Sequence, residues 1–94
     1  METDARLTLE FQQEELKRQI AARLDLLQGR LNKSPSQAGY HWDRTIGGKT
    51  VTRSVRKSLV PMAGVMVQNH RRVKQLLAQL SDVNWRLLQL SLED

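Results

Sequence analysis

The chain has 94 residues, near the small end of independently folding chains, and its length predicts a single domain over residues 1–94. Hydrophobic residues make up only 39% of the chain, so it buries little surface alone and self-association is favoured. The formal net charge is +5, and the absence of Cys excludes a disulfide scaffold, a thiol nucleophile and a Cys-based zinc site.

The first predicted element is a helix over about residues 9–31. Thr8 can cap it, and carboxylates follow in its first turns, where they favour the positive end of the helix dipole. Apolar side chains recur on one face at three- or four-residue spacing: Leu9, Leu16, Ile20, Leu24, Leu27 and Leu31. The polar run that begins at Asn32 ends the helix and predicts a linker over residues 32–39.

Residues 40–55 predict a β-hairpin. Gly47-Gly48 stands between two β-rich runs and suits a two-residue turn, because such turns need positive φ. This turn pairs Ile46 with Lys49 and places Trp42 opposite Arg53. One face then shows Tyr40, Trp42, Arg44, Ile46, Lys49, Val51, Arg53 and Val55. We expect the base of this face to pack on the helices and its basic tip to project.

The segment Gly47-Gly48-Lys49-Thr50 is similar to the end of a phosphate-binding P-loop. That loop requires an earlier Gly at the position of Asp43, and a helix rather than a strand after it. The P-loop interpretation is therefore rejected.

The last third of the chain predicts one long helix over about residues 58–92. Pro61 suits its first turn, because backbone N–H groups there have no intrahelical acceptor and the lack of one in Pro breaks no hydrogen bond. Gaps of alternating four and three residues define a heptad seam that would face a partner helix: Met62, Met66, Asn69, Val73, Leu76, Leu80, Val83, Leu87 and Leu90. Asn69 in such a seam can fix register or oligomer state.

The sequence thus predicts a mainly α fold in which two long helices flank a central β-hairpin. We expect the helices to pack as a coiled-coil-like bundle in a homo-oligomer. Leu77, Trp85 and Leu88 widen the apolar stripe beyond a two-stranded seam. The pattern leaves open whether the first helix folds back within the chain or pairs between subunits.

Charge is concentrated in the middle of the chain. Residues 34–74 carry eight basic side chains and one acidic, a net charge of +7, whereas residues 1–33 are neutral. A concentrated basic patch favours phosphate binding. The candidate nucleic-acid-binding residues are Arg44, Lys49, Arg53, Arg56, Lys57, Arg71 and Arg72, and Trp42 is a candidate for stacking on a base.

No catalytic constellation occurs in the sequence. His41 and His70 are far apart and neither has a second ligand at helical spacing, so we expect no metal site and no cofactor. Carboxylates cluster only at the start of the first helix, where Glu14 and Glu15 are explained by helix electrostatics. We therefore expect a protein that is not an enzyme and has no small-molecule substrate.

From Tyr40 onward the chain resembles a group of small bacterial domains of unknown function, in part found near transposases and other mobile elements. The similarity rests on the aromatic strand, the Gly-Lys-Thr-x-Thr-Arg-x-Val run of residues 48–55 and the helix that follows, and it covers about residues 39–88. Members often carry a Cys-containing segment before the hairpin, where this chain has none. The resemblance implies a role linked to DNA and no particular chemistry.

The preferred functional hypothesis is a non-enzymatic nucleic-acid-binding accessory or regulatory protein, with DNA favoured over RNA. The alternative is a protein–protein adaptor or oligomerisation subunit whose helices dock on a larger complex. No run approaches the roughly 18 apolar residues of a membrane span, and the acidic Met1-Glu2-Thr3-Asp4 lacks the apolar core of a signal peptide. We therefore expect a cytoplasmic protein without membrane contact.

Overall fold

A computed structural model describes residues 2–33 and 39–93, so most of the expected linker lies outside the described residues. The elements in chain order are α1 (Glu2–Ala21), β1 (Arg30–Lys33), β2 (Tyr40–Ile46), β3 (Lys49–Val55), a 3-10 turn (Lys57–Leu59) and α2 (Val60–Glu93). The chain divides into two compact units. The helical unit comprises Met1–Leu24 and Arg72–Asp94, and the sheet unit comprises Asp25–Arg71.

The predicted fold class is wrong, because the centre of the chain is a three-stranded antiparallel sheet of order β1-β2-β3 rather than a hairpin between two long helices. The first helix ends at Ala21 instead of continuing to Leu31. Gly29 has a φ of 120°, which no α-helix contains, and the chain then extends along the free edge of β2. Backbone N–H and C=O groups on that edge gain hydrogen-bond partners by this pairing. The stabilisation from these bonds outweighs the helical preference that the spacing of the leucines indicates.

The predicted hairpin register is confirmed. Tyr40 pairs with Val55, Trp42 with Arg53 and Ile46 with Lys49, so the two-residue turn is Gly47-Gly48. Both glycines have positive φ, 56° and 80°, the conformation that the mirror-image hairpin turns require. The turn and its flanking residues are exposed.

In the sheet unit, the segment between α1 and β1 lies on the first turns of α2. The Leu27 N–H donates to the Met66 carbonyl at 3.0 Å, and the Asn69 side-chain amide donates to the Asp25 carbonyl at 2.9 Å. The Cδ2 atom of Leu31 in β1 lies 4.0 Å from the position that a β carbon on Gly64 would occupy. Asn69, one of the predicted seam residues, thus donates a hydrogen bond that holds the returning chain.

In the helical unit, the core is small and comprises Leu16 from α1 with Leu76 and Val83 from α2. Leu9, Ile20, Leu80 and Leu87 pack around this cluster, and Leu76 is fully buried. Most of the predicted seam therefore packs within the chain. The side chains left exposed include Leu7 and Phe11 on α1 and Leu77, Trp85, Leu88 and Leu92 on α2.

Candidate nucleic-acid interface

The sheet has one basic face and one polar face, because antiparallel pairing places opposed residues on the same side. Both β1 and β3 contribute cations to the basic face, through pairs such as Lys33 with Tyr40 and Arg53 with Trp42. The basic face consists of the paired residues Leu31, Lys33, Tyr40, Trp42, Arg44, Ile46, Lys49, Val51, Arg53 and Val55. Four of these paired residues are basic and none is acidic.

The polar face holds the hairpin's one carboxylate, Asp43, within a hydrogen-bonded cluster. The Asn32 amide donates to Asp43 Oδ2 at 2.8 Å, and His41 Nε2 lies 3.5 Å from the same oxygen. Hydrogen bonds from Thr52 and Asn32 lower the pKa of Asp43, and the nearby charges of His41 and Arg30 act in the same direction. The only acid of the hairpin is therefore engaged on the side opposite the basic face.

Trp42 is held in place at the centre of the basic face. Its indole Nε1 donates to the Gln28 carbonyl at 2.8 Å, and the Arg44 guanidinium lies 5.1 Å from the ring centroid. This distance is within the range of a cation–π contact. The Arg44 Nε is buried without a hydrogen-bond partner among the described residues.

A groove of about 400 Å³ lies beside Trp42, between the sheet and the first turns of α2. Its apolar walls include Leu59 and Met62, whose side chains are 49% and 61% exposed. Arg53 and Arg56 line its rim, and no carboxylate is among its lining residues. Cavities of roughly 300–1,000 Å³ with a few polar groups at the edge are typical of ligand sites.

The remaining predicted contact residues are distributed over both units. Lys49 and Arg53 are exposed on β3, and Arg56 and Lys57 are exposed directly after it. Arg71 is the last residue of the sheet unit. By contrast, the Arg72 guanidinium belongs to the helical unit and donates to Gln75 on the same helix at 3.1 Å.

Net charge differs between the two units. The sheet unit has eight basic and two acidic side chains, a net charge of +6. The helical unit has seven basic and eight acidic side chains, a net charge of −1. The net positive charge of the protein therefore lies in the sheet unit, and four of the eight basic side chains of that unit are on its basic face.

Sequence reasoning missed the contribution of β1 to this site. Lys33 adds a cation to the basic face, and Gln28 supplies the carbonyl that anchors Trp42. Gly29 is the residue that could have indicated this strand. A glycine inside an apparent helix favours an interruption of the helix and permits a close approach of two backbones.

Among the residues that the structure describes, no group of three or more His, Asp or Glu side chains could hold a metal ion. No described helix combines the length and apolarity needed to cross a membrane.

No family model, curated protein or solved structure matches this chain. The resemblance to mobile-element domains stays a prediction, and function is argued from the geometry of the site.

Proposed function

We propose that this protein is a non-enzymatic nucleic-acid-binding accessory protein that contacts phosphates through the basic face of its sheet. One observation carries the proposal: the basic face displays four cations and no carboxylate at its paired positions, while the neighbouring Asp43 is engaged on the opposite side. Such single-sign surfaces attract polyanions from a distance.

The geometry of β3 supports contact with a phosphate backbone. Lys49 and Arg53 lie on the same side of the strand, about 13 Å apart at about 3.3 Å per residue. Arg56 and Lys57 continue the row of exposed cations beyond the strand. A two-stranded ribbon is narrow enough to enter the major groove of DNA, and its projecting turn at Gly47-Gly48 is exposed.

The resemblance from Tyr40 onward favours a role in the regulation of a mobile genetic element, which would be exercised in the cytoplasm. DNA is the nucleic acid that this role favours. The helical unit contributes little net charge and provides the surface through which copies or partner proteins associate.

The proposal is tested by measuring the fluorescence anisotropy of labelled duplex and single-stranded DNA at salt concentrations between about 50 and about 200 mM. Each phosphate contact contributes about 0.9 to the slope of log affinity against log salt on duplex DNA. The exposed cations on or directly after the basic face are Lys33, Lys49, Arg53, Arg56 and Lys57, and five phosphate contacts predict a slope of about −4.5. Absence of binding to both forms at the lowest salt would contradict the proposed function.

A second candidate function, protein–protein association, is favoured by the exposed apolar stripe of the helical unit. Leu77, Trp85, Leu88 and Leu92 recur at helical spacing and lie on one side of α2, with exposed fractions of 49%, 59%, 56% and 84%. Exposed apolar side chains aligned on one side of a helix are typical of interaction sites. A second copy of the chain would cover it through the same stripe.

Light scattering tests this association. Leu88→Glu is expected to reduce the mass of any assembly to that of a single chain, because a carboxylate would be buried at the contact. Gln89→Glu adds the same charge to a neighbouring exposed position and is expected to leave the mass unchanged. A single-chain mass for the unaltered protein at high concentration, together with no co-purifying protein, would contradict this candidate function.

A further inference from the structure

The groove beside Trp42 has features that a duplex backbone would not use. Its floor is apolar, and its walls include Leu59 and Met62, two large side chains left substantially exposed. Phosphate binding needs cations and donors, not apolar walls. The groove therefore fits a ligand that is flat and apolar on its faces and anionic at its ends.

We propose that this groove binds one unpaired nucleobase of a single strand, with the flanking phosphates on Arg53 and Arg56. The inference rests on the proposed function and deepens it, since it names an unpaired base as the preferred substrate feature. A base stacked within a duplex has neighbours on both faces, and extruding it costs a few kcal/mol. Single strands, gaps and bulges present the base without that cost.

Trp42 is suited to act as the stacking platform because it is already immobilised. Its N–H is satisfied by Gln28, so it requires no hydrogen bond from the ligand. Arg44 lies over the ring, and Trp42 is also one of the residues that line the groove. Every base has a π face, which predicts tolerance of sequence. A pre-ordered platform also loses little side-chain entropy when the base binds.

Charge argues for a nucleic acid over an apolar peptide in this groove. The charged side chains among its lining residues are the guanidinium groups of Arg53 and Arg56, which can donate to phosphate oxygens. An apolar peptide would leave both guanidinium charges without a counterion. A peptide that also carries carboxylates is the competing occupant, and the experiment includes it.

The test uses the chain's two tryptophans. In the Trp85→Phe protein, Trp42 is the only tryptophan and is excited at a wavelength that Tyr40 does not absorb. Its fluorescence is followed during titration with an oligothymidylate, a blunt duplex of equal length and an acidic leucine-containing peptide. We expect the oligothymidylate to quench Trp42 and the duplex to do so only weakly. Trp42→Leu should weaken single-strand affinity by roughly 5- to 150-fold, the range measured for loss of one stacked base.

Met62→Glu provides a second variant in case Trp42→Leu impairs folding, because Met62 is 61% exposed and lines the groove. Val65→Glu is its control: Val65 is 60% exposed on the same helix and does not line the groove. We expect Met62→Glu to weaken single-strand binding several-fold more than Val65→Glu.

Three results would overturn the inference. If single strands bind with unchanged Trp42 emission and both groove variants bind normally, the groove is not a base site, while the charge-based function stands. If only the acidic peptide quenches Trp42, the groove is a peptide site. If neither form of DNA binds at low salt, the inference fails together with the proposed function.

Discussion

Gly29 lies so close to the backbone of Asp43 that a β carbon on residue 29 would overlap the Asp43 carbonyl oxygen. Its φ of 120° is also one that side chains with a β carbon rarely adopt. The next residue, Arg30, begins β1 and pairs with Asp43. Gly29 is therefore the point at which the returning chain is placed on the edge of β2.

Gly29→Ala is expected to destabilise the sheet unit. The strained backbone alone costs about 1–3 kcal/mol, and the overlap with Asp43 must be relieved by displacing β1. Urea unfolding followed by circular dichroism measures the loss. Gly39→Ala is the control, because a β carbon there meets nothing within 4 Å. An equal loss in both variants would show that the close approach at Gly29 is not needed.

Asp43 makes the stability of the sheet depend on pH. Its pKa in the folded protein is lowered below 3.8 by hydrogen bonds from Thr52 and Asn32, so the unfolded chain binds a proton first as the pH falls. The stabilisation that the ionised Asp43 gives the folded protein is fully present above pH 3.8, the pKa of Asp43 in the unfolded chain. It is lost as the pH falls through the pKa of Asp43 in the folded protein.

Asp43→Asn should therefore remove part of the loss of stability on acidification. The urea midpoint between about pH 5 and about pH 2 measures this effect, and NMR titration of the Asp43 carboxyl measures its pKa directly. Asp82→Asn, at an exposed position of the helical unit, is the control. A titration midpoint of Asp43 at or above 3.8 would contradict the described hydrogen bonding.

Leu76→Ala is expected to destabilise the helical unit by about 2–5 kcal/mol, because its side chain is fully buried at the centre of a small core. Leu77→Ala removes the same atoms from the adjacent position, which is 49% exposed, and should cost much less. Thermal unfolding of both variants gives the comparison. Similar midpoints would mean that the side chain of Leu76 is not packed in the core.

Lys49→Glu combined with Arg53→Glu should nearly abolish nucleic-acid binding, because it reverses two exposed cations of the basic face. Lys74→Glu combined with Arg86→Glu changes the net charge equally within the helical unit and is expected to weaken binding far less. Anisotropy at several salt concentrations measures both affinity and slope, which should fall by about 2 for the first pair. Equal losses would show that net charge, not the basic face, drives binding.

Local chemistry predicted the hairpin correctly. Gly47-Gly48 requires the positive φ that both residues have, and once the turn is placed, alternation sets every pair from Ile46 with Lys49 to Tyr40 with Val55. Strand pairing across a two-residue turn involves neighbours in sequence, so the information lies within sixteen residues. The long helix from Val60 to Glu93 was predictable for the same reason, since its hydrogen bonds are local.

The third strand could not be read from its own residues. Arg30-Leu31-Asn32-Lys33 has little β-forming character, and Leu24, Leu27 and Leu31 continue a helical spacing. These residues form a strand because they pair with the edge of β2, which lies elsewhere in the sequence. The hydrogen bonds from Leu27 to Met66 and from Asn69 to Asp25 hold the preceding segment in position for this pairing. Non-local partners outweigh the weak intrinsic preference of a four-residue segment.

The amino-acid sequence by itself determined that positive charge gathers between residues 34 and 74, that a glycine turn joins two strands and that a long helix follows. Only the tertiary structure decided that a third strand, β1, adds Lys33 to the face that carries Arg44, Lys49 and Arg53, and that an apolar groove lies beside Trp42. The reason is that a strand's side chains alternate locally, whereas the identity of its neighbour depends on which distant backbone groups need hydrogen bonds.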